Sequence, residues 1–463
     1  MVAFEAARPL AAPSRHSLVD VDIVNIGRAS SRRCERDGSG AVRQLALRVP
    51  DPRLSSSHAR IARVYGRWIV EDLDSRNGTF VNGQRVPRAP LSDGDLIEVG
   101  QTFLLFRDLA VTPDARPDVD AAELTPPVPE MATLSPALAK DLAGVAQVAA
   151  TVVPVLLRGE SGTGKEILAR AVHRLSGRGH DFVAINCAAL PEGLVEAELF
   201  GHKKGSFSGA LEDRPGLVRS ADGGTLFLDE IGDLRESSQG ALLRVLQECE
   251  VMPVGGTRPI KVDLRVVAAT HRDLTEMVEE GTFRSDLLAR LSGFTVALPA
   301  LRERREDLGL LIGALLRRLL PEHAERITFT GPAARALFLH AWPHNVRELE
   351  RCLETASALA GERPIDVEHL PVAVRTTSEA PAPTPAGAPA PTVRRTTEPG
   401  DDDAGLGPDR GPSCRELEAL MQEHQGNLSA VARVLGKDRV QIRRWLKRCY
   451  LDPRSYRPVA GKD

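Results

Sequence analysis

The chain has 463 residues, a formal net charge of −3, and 42% apolar and 27% charged residues. This length exceeds what one hydrophobic core normally supports, so we expect about two to four domains. The near-neutral balance excludes a uniformly basic nucleic-acid binder but permits a local basic patch. The six cysteines lie far apart without a CxxC pair, and no charge-free apolar run reaches the roughly 18 residues of a membrane span. These features predict a cytoplasmic protein with reduced thiols and no membrane partner.

Residues 18–108 show the pattern of an all-β domain. Short runs of alternating apolar residues are separated by turns, and Tyr65-Gly66 and Asn82-Gly83 suit tight hairpins. Three motifs lie in this segment: Gly27-Arg28, Ser55-Ser56-Ser57-His58 and Asn77-Gly78-Thr79-Phe80-Val81-Asn82-Gly83. On these motifs the segment resembles a forkhead-associated (FHA) domain, a β-sandwich that binds phosphothreonine peptides.

The FHA resemblance implies a phosphopeptide site. Arg28 would offer its guanidinium to a dianionic phosphate, Ser55 would add a hydroxyl donor, and Asn77 would hold the peptide backbone. We expect His58 to buttress the loops rather than to bind the ligand. The alternative is an FHA-shaped sandwich that binds an unphosphorylated partner.

The rest of the chain divides by composition. Residues 109–130 lose the strand pattern and collect prolines, which predicts a linker. In residues 131–372, apolar strand candidates such as Val153–Leu157 alternate with helical stretches, which predicts a parallel α/β sheet. Residues 373–411 are rich in Ala, Pro and Thr and have too few large apolar side chains to fold, so we expect a disordered linker.

The residues that follow two of the predicted apolar strands indicate a site for ATP and Mg²⁺. The sequence GESGTGKE at 159–166 has the G-x-x-x-x-G-K spacing, in which glycines let backbone N–H groups approach phosphates and Lys165 neutralises their charge. The Ser or Thr that usually follows the lysine is Glu166 here, so other groups must hold most of the magnesium. A second apolar strand ends in Asp229, which would orient Mg²⁺ and water, and Glu230, which would polarise the attacking water. The predicted nucleotide ligands of this loop are Gly159, Glu160, Ser161, Gly162, Thr163, Gly164, Lys165 and Glu166.

A third motif, GSFSGA, places Phe207 between glycines. Neither helix nor strand periodicity explains this Phe, which favours a mobile contact over a core residue. The motif consists of Gly205, Ser206, Phe207, Ser208, Gly209 and Ala210.

Residues 131–372 resemble the central AAA+ domain of bacterial enhancer-binding proteins, the activators of sigma-54 RNA polymerase. The resemblance is carried by GESGTGKE, INCAALPEGLVEAELFGHKKGSFSGA, GGTLFLDEIGDL, LLRVLQE, VGGTRPIKVDLRVVAAT, LPALRERREDL and WPHNVRELE. It implies ATP hydrolysis in a homo-oligomeric ring, a hexamer as in the family. It also implies that GSFSGA, usually GAFTGA, is the loop that presses on sigma-54.

The resemblance also assigns roles to polar residues. Asn186 would be the switch partner that holds Glu230 away from water. Arg284 and Arg290 would reach the nucleotide of the neighbouring subunit, although both also read as solvated helix charges. Arg347 would sense the γ-phosphate from the lid.

Two residues depart from the family at sensing positions. His271 replaces a usual Asn, and His344 replaces a usual Gly. The resemblance implies that His271 is a further nucleotide ligand. Its ring can still hydrogen-bond a phosphate or water, but its reach and tautomer differ from those of Asn. We therefore expect hydrolysis to survive with altered coupling.

Residues 413–455 read as helices broken at Gly426-Asn427 and Gly436, with a basic run near the end. They resemble the Fis-type helix-turn-helix of the same activators, which implies binding to enhancer DNA. A solvated basic helix is the alternative. The candidate DNA contacts are Arg439, Gln441, Arg443, Arg444 and Lys447.

Together these patterns predict a multidomain protein: an FHA β-sandwich, an α/β AAA+ P-loop ATPase with a helical lid, and a helix-turn-helix. The predicted function is ATP-dependent activation of sigma-54 transcription with a phosphothreonine input. The rival hypothesis is a DNA-binding regulator or scaffold whose ATPase moves no sigma factor. Phosphorylated Thr396 or Thr397 would be a candidate FHA ligand, unless residues 373–411 are an inert spacer.

Overall fold

The computed structural model describes residues 1–38, 42–108, 116–191, 193–377, 412, 414–424, 427–435, 437, 439, 442 and 445–446. The chain divides into two units, one of residues 1–19 and 101–379 and the other of residues 20–100 and 380–463. In the described ranges, no helix combines the length and the apolar character that crossing a membrane requires.

Short strands fill the first 120 residues, and several alternate buried with partly exposed side chains, as one-sided β-sheets do. They are β1 Val2–Glu5, β2 Ser14–His16, β3 Ile23–Arg28, β4 Arg33–Asp37, β5 Gln44–Val49, β6 Ala59–Val64, β7 Arg67–Asp72, β8 Thr79–Val81, β9 Gln84–Arg85, β10 Arg88–Pro90, β11 Leu96–Val99, β12 Thr102–Leu105 and β13 Asp118–Asp120. In β5, for example, Leu45, Leu47 and Val49 are fully buried.

Within residues 20–100, six strands form one sheet in the order β10-β7-β6-β3-β5-β4. Strands β11, β8 and β9 pair antiparallel in a second ladder. Tyr65-Gly66 joins β6 to β7 with φ values of 48° and 80°, and Asn82-Gly83 joins β8 to β9 with 49° and 83°. Positive φ at both central positions is the type I′ hairpin geometry, so the predicted tight hairpins are confirmed.

The other unit begins with an antiparallel sheet of order β13-β2-β1-β12, here named the amino-terminal sheet. Strand β13 lies inside residues 109–130, for which the sequence predicts a linker. It pairs with β2, and Val119 packs beside the buried Val2, Leu105 and Leu134. The described part of the predicted linker is therefore structured, because this pairing satisfies its backbone and buries its apolar side chains.

After the amino-terminal sheet, the chain forms an α/β domain and, after that domain, further helices. The strands are β14 Val155–Arg158, β15 Phe182–Asn186, β16 Thr225–Asp229, β17 Glu250–Val251, β18 Ile260–Lys261, β19 Arg265–Thr270 and β20 Phe294–Ala297. The helices are α1 Pro136–Ala149, α2 Lys165–Leu175, α3 Val195–Phe200, α4 Leu217–Ser220, α5 Glu236–Glu248, α6 Leu274–Glu279, α7 Ser285–Leu291, α8 Leu308–Leu319, α9 Gly331–Leu339, α10 Asn345–Ala360, α11 Val372–Thr377, α12 Cys414–Glu423 and α13 Leu428–Val434. Short 3-10 turns are Ala121–Glu123, Pro129–Met131, Cys187–Ala189, Ile231–Asp233, Arg305–Asp307, Ala324–Arg326 and Val367–His369.

A central parallel sheet of order β15-β16-β19-β14-β20 confirms the predicted α/β architecture. One face packs against α1 and α2, and the other against α3, α5 and α7. Its strands are almost continuously apolar because both faces are buried. Strands β16, β19 and β14 are neighbours, so the loops after them meet at one carboxyl edge of the sheet.

Helices α8 to α11 form a lid, and the amino-terminal sheet packs on it. The buried rings of Phe4 and Phe103 lie 5.2 and 6.2 Å from that of Phe338 on α9. A backbone hydrogen bond adds to this contact, since Phe329 N donates to Ala6 O at 3.0 Å. The lid is thus part of one core with the start of the chain.

At the carboxyl terminus, α12 and α13 share a small apolar core. Leu417, Val431, Ile442, Trp445 and Leu446 are buried in it. Asn427 caps α13 by accepting hydrogen bonds from the amides of Ser429 and Ala430.

Candidate active site

The glycine-rich loop, residues 159–164, joins β14 to α2 at the carboxyl edge of the central sheet. Gly162 has a φ of 79°, and a Cβ there would lie 2.3 Å from the carbonyl oxygen of His344, so glycine is required. The first backbone N–H groups of α2 carry the positive end of the helix dipole. The loop therefore suits an anionic phosphate chain.

Lys165 opens α2, and only 6% of its side chain is exposed. Its ammonium donates to the carbonyl oxygens of Gly159 at 2.8 Å and Glu160 at 3.1 Å. The same nitrogen lies 3.6 Å from the carboxylate of Glu230. This placement suits the predicted role of neutralising phosphate charge.

Glu166 lies on the exposed surface of α2. Its carboxylate accepts hydrogen bonds from Arg170, one turn later, at 2.7 and 3.2 Å. It is therefore engaged by this pair, and the structure does not bring its side chain onto the glycine-rich loop.

Asp229 ends β16, at the same carboxyl edge of the central sheet as the glycine-rich loop. Burial raises the pKa of Asp229, and the neighbouring charge of Glu230 adds to the increase. Because the ionised form of this half-buried carboxylate is disfavoured, a nearby cation would stabilise it. Carboxylate oxygen is also a ligand that Mg²⁺ prefers. The residue thus fits the predicted magnesium site.

Glu230 follows Asp229 with left-handed backbone angles, φ 51° and ψ 50°. Its Oε2 accepts hydrogen bonds from Nδ1 of His271 at 2.7 Å and from the backbone N of His271 at 3.2 Å. Burial alone raises the pKa of Glu230, but the His271 hydrogen bonds and the Lys165 charge outweigh it, so the pKa lies below its usual value. Glu230 is therefore an ionised acceptor at neutral pH.

Asn186 ends β15 and stands opposite Asp229 in the sheet register. Its side-chain oxygen accepts a hydrogen bond from the amide of Ala188 at 3.0 Å. Over the described residues, no hydrogen bond joins Asn186 to Glu230. Its role as the switch partner stays a prediction.

The lid reaches the glycine-rich loop through the first turn of α10. Asn345 is fully buried and donates to the carbonyl of Ser161 at 2.9 Å and to Glu160 at 3.2 Å. Arg347 is exposed and donates to the Ser161 hydroxyl at 3.1 Å. The predicted γ-phosphate sensor thus lies at the loop.

Sequence reasoning missed two arginines that fix this arrangement. Arg302 forms two hydrogen bonds to Glu160, at 2.6 and 2.9 Å. Together with Asn345 they lower the pKa of Glu160 to about 2. Arg304 donates to the carbonyl of Thr163 at 2.8 Å, while the buried Thr163 hydroxyl bonds to Glu160 O. Both arginines lie in LPALRERREDL, a segment that contributed only to the family resemblance and gave no sign of a role for either arginine.

Arg284 is the residue before α7 and Arg290 lies in the last turn of α7, and both are exposed. Arg284 pairs with Asp286 at 2.7 Å, and Arg290 donates to the carbonyl of Leu246 at 3.1 Å. Contact with the nucleotide of another subunit stays a prediction for both.

The GSFSGA loop, residues 205–210, is closed by a hydrogen bond from Gly205 N to Ala210 O at 2.9 Å. Gly205 and Gly209 have φ values of 80° and 109°, which other residues rarely adopt. Phe207 is half-buried, with its ring edge-on to His202 at 5.0 Å. Ser208 at the tip is exposed. Phe207 is thus held by one neighbouring ring rather than by a hydrophobic core.

The predicted phosphopeptide residues cluster around one loop. A Cβ at Gly27 would lie 2.0 Å from the carbonyl oxygen of Ser56, so glycine lets this loop approach β3. Arg28 is exposed at the end of β3, and its amide donates to Ser55 O at 2.9 Å. Arg48, missed by sequence reasoning because it lies on a separate strand, donates to Ser56 O at 2.8 Å.

The hydroxyl of Ser55 accepts from the amide of Arg76 at 3.2 Å. Asn77 is exposed, and its amide donates to the carbonyl of Arg53 at 2.6 Å. His58 is fully buried between Ser55 N and Gly78 O, at 3.2 Å from each, as expected of a buttress.

Of the candidate DNA contacts, only Arg439 is described, as an exposed helical residue. Gln441, Arg443, Arg444 and Lys447 lie outside the described residues, as do Thr396 and Thr397.

Comparison with known families agrees with this geometry. The sigma-54 interaction domain matches residues 131–297, an AAA+ ATPase lid domain matches residues 302–386, and the FHA domain matches residues 24–100. The chain therefore carries an FHA β-sandwich and an AAA+ ATPase domain of the sigma-54 activator type with its lid. The helix-turn-helix stays a prediction.

Individual relatives carry regulatory names. The chain is 52% identical over 213 residues to the Nif-specific regulatory protein of Enterobacter agglomerans, covering 46% of this chain and 41% of that protein. It is 47% identical over 245 residues to the transcriptional regulatory protein ZraR of Escherichia coli, covering 52% and 56%. The crystal structure of NtrX from Brucella abortus in complex with ATP aligns at 29% identity over 71% of each chain, with a TM-score of 0.48. The chain spans about half the length of the curated relatives it matches.

Proposed function

We propose that the protein is an ATP-dependent activator of sigma-54 RNA polymerase that receives its input through FHA recognition of phosphothreonine. One observation carries this proposal. The carboxyl edge of the central sheet brings together the polar side chains expected of an ATPase site: Lys165, Asp229, Glu230 and Arg347. The same domain carries the GSFSGA loop.

The chain's own residues divide the work of hydrolysis. Lys165 and the glycine-rich loop bind the phosphates. Arg347 lies on the lid next to this loop, where it can contact the γ-phosphate. Asp229 would hold Mg²⁺, which supplies charge neutralisation to the phosphates when bound. Glu230 is ionised and polarises the attacking water.

Oligomerisation completes the site in this proposal. Arg284 and Arg290 lie on an exposed surface, where a neighbouring subunit in a hexameric ring can meet them. An arginine supplied in trans is worth roughly 10³ to 10⁵ in rate in phosphoryl-transfer systems. Hydrolysis then moves the GSFSGA loop against sigma-54, while the carboxyl-terminal helices bind enhancer DNA.

The first experiment uses the full chain with ADP and a metal-fluoride mimic of the transition state, and asks whether a complex with sigma-54 forms. Phe207→Ala should abolish the complex because it removes the aromatic contact. The matched control is Val152→Ala, which truncates an apolar side chain that is 70% exposed and lies outside the GSFSGA loop. This variant should still form the complex. ATP hydrolysis without any complex would favour the DNA-binding scaffold instead.

The FHA input has a separate test. A library of phosphothreonine peptides should bind the full chain, and Arg28→Ala should remove that binding because the phosphate loses its guanidinium. Binding of the unphosphorylated peptides with equal affinity would support the alternative sandwich function.

A further inference from the structure

Two arginines lie opposite each other on the sheet of order β10-β7-β6-β3-β5-β4, on the face away from its buried apolar side chains. Arg33 on β4 is the antiparallel partner of Arg48 on β5, which brings their Cβ atoms to about 4.5–5.5 Å. Like charges in this position destabilise a sheet. Arg33 has Glu35 at 3.8 Å, but among the residues that the structure describes no carboxylate contacts Arg48. Arg33 and Arg48, here named the arginine pair, are therefore incompletely neutralised.

Glycine at position 27 makes room for the Arg48 side chain. Gly27 is the register partner of Arg48 in the parallel pairing of β3 and β5, and a Cβ at Gly27 would lie 2.4 Å from Nη1 of Arg48. The guanidinium therefore crosses β3 at a glycine, and it donates to the carbonyl oxygen of Ser56 at 2.8 Å. A guanidinium has five N–H donors in a planar fork, so the bond to Ser56 leaves donors for an anion.

The arginine pair lies beside the predicted phosphate site. Arg28 follows Gly27 in β3, so a strand spacing of about 4.8 Å and a rise of about 3.3 Å per residue place its Cα about 6 Å from that of Arg48. That distance corresponds to about two residues of an extended peptide. Ser56, which Arg48 contacts, directly follows the predicted phosphate donor Ser55. A phosphothreonine held by Arg28 and Ser55 would thus bring its neighbours in the peptide to the arginine pair.

We propose that the arginine pair is a second anionic subsite, which binds a carboxylate or a second phosphate within about three residues of the phosphothreonine. An anion between the two guanidiniums relieves the repulsion between them and accepts charge-assisted hydrogen bonds. The FHA domain thereby selects acidic or doubly phosphorylated peptides over neutral ones. This inference rests on the proposed recognition of phosphothreonine.

The test measures the binding of short synthetic peptides to the full chain by fluorescence anisotropy. Each peptide carries a central phosphothreonine in a neutral background, and one of the three positions on either side holds Gln, Asp or a second phosphothreonine. At one or more positions, wild type should bind an anionic peptide about threefold to tenfold more tightly than the Gln peptide. Preference for both anions shows that a carboxylate suffices, and preference for the second phosphate alone identifies a doubly phosphorylated ligand.

Substitutions locate the source of this preference. Arg33→Gln and Arg48→Gln should each reduce it below about twofold and leave the affinity for the Gln peptide nearly unchanged, because Arg28 still holds the phosphate. Arg33 lies on β4 rather than against Ser56, so its variant tests the charge without removing the Arg48 hydrogen bond. The matched control is Arg67→Gln, at an exposed arginine beside the hairpin at the opposite end of the same sheet. This variant should keep the preference.

Three results would contradict the subsite. Equal affinity of wild type for the Gln, Asp and doubly phosphorylated peptides would overturn it, as would a preference that survives in both Arg33→Gln and Arg48→Gln. A loss of affinity in Arg48→Gln that is equal for all peptides, with no effect of Arg33→Gln, would assign Arg48 to loop structure alone. If wild type binds no phosphothreonine peptide, the proposed FHA recognition itself fails, and the inference with it.

Discussion

The residues around the glycine-rich loop come in motifs with fixed spacing, whereas the amino-terminal sheet pairs Val2 with Leu105 and Ser14 with Asp120. The first region shows its chemistry in the sequence, because phosphate binding needs glycines and a lysine at set positions. The second has short, ordinary strands. Its position on the lid depends on three Phe rings that are far apart in the chain.

The two regions meet in the 3-10 turn Arg305–Asp307. On one side, Asp307 accepts from the Thr133 hydroxyl at 2.7 Å, and Glu306 pairs with Arg107. Immediately before the turn, Arg304 bonds to the glycine-rich loop. The packing of the amino-terminal sheet and the geometry of the nucleotide site therefore depend on one short segment, and substitutions on either side of it should separate the two contributions.

The largest effect is expected from Phe338→Ala in the lid. Phe338 is 3% exposed and packs on Phe4 and Phe103, so its loss should cost about 3–5 kcal/mol of stability. Urea unfolding of the full chain, followed by fluorescence, measures this. Leu359→Ala, at a lid position that is 56% exposed, should change stability by less than about 0.5 kcal/mol. Equal effects would mean that the lid does not depend on the amino-terminal sheet.

Lys165→Ala should act on chemistry rather than on packing. Removing a preorganised donor from a phosphate site should reduce ATP turnover by about 10²–10³-fold. Lys140→Ala, on the exposed surface of α1, is the matched control and should leave turnover unchanged. A melting temperature that falls as far as in Phe338→Ala would contradict this distinction between the regions.

Arg107→Met should have an intermediate effect. It removes a guanidinium from Glu306, whose side chain is only 5% exposed, and the desolvated carboxylate should cost about 1–3 kcal/mol. Adding Glu306→Gln should recover part of the loss, because the buried charge is then removed as well. A double variant less stable than Arg107→Met would count against the ion pair as the cause.

The smallest effect concerns the pH dependence of the Arg302–Glu160 pair. The pKa of Glu160 is lowered from 4.5 to about 2, so the pair stabilises the fold above pH 4.5 and this contribution disappears as the pH falls toward 2. Because both side chains are over 40% exposed, screening keeps the contribution below about 1 kcal/mol. Melting temperatures of wild type and Arg302→Ala should differ at pH 6 and converge as the pH approaches about 2.

The sequence predicted the glycine-rich loop, the strand end at Asp229-Glu230 and the two hairpins, because each depends on neighbouring residues. It did not identify Arg302, Arg304 and Arg48 as parts of a site. An arginine in a charged segment reads as solvated until the fold shows which carbonyl or carboxylate it meets.

What the sequence determined by itself is the local chemistry: backbone conformations that require glycine, charges at fixed spacing, and apolar strands that must be buried. The tertiary structure decided which of two polar side chains bonds to Glu230, and that the start of the chain packs on the lid. The physical reason is that strand order in a sheet and packing of distant aromatic rings follow from the whole core. Asn186 and His271 come at the ends of the two strands that neighbour β16, and the side-chain contacts of the folded structure show that His271 supplies the hydrogen bond.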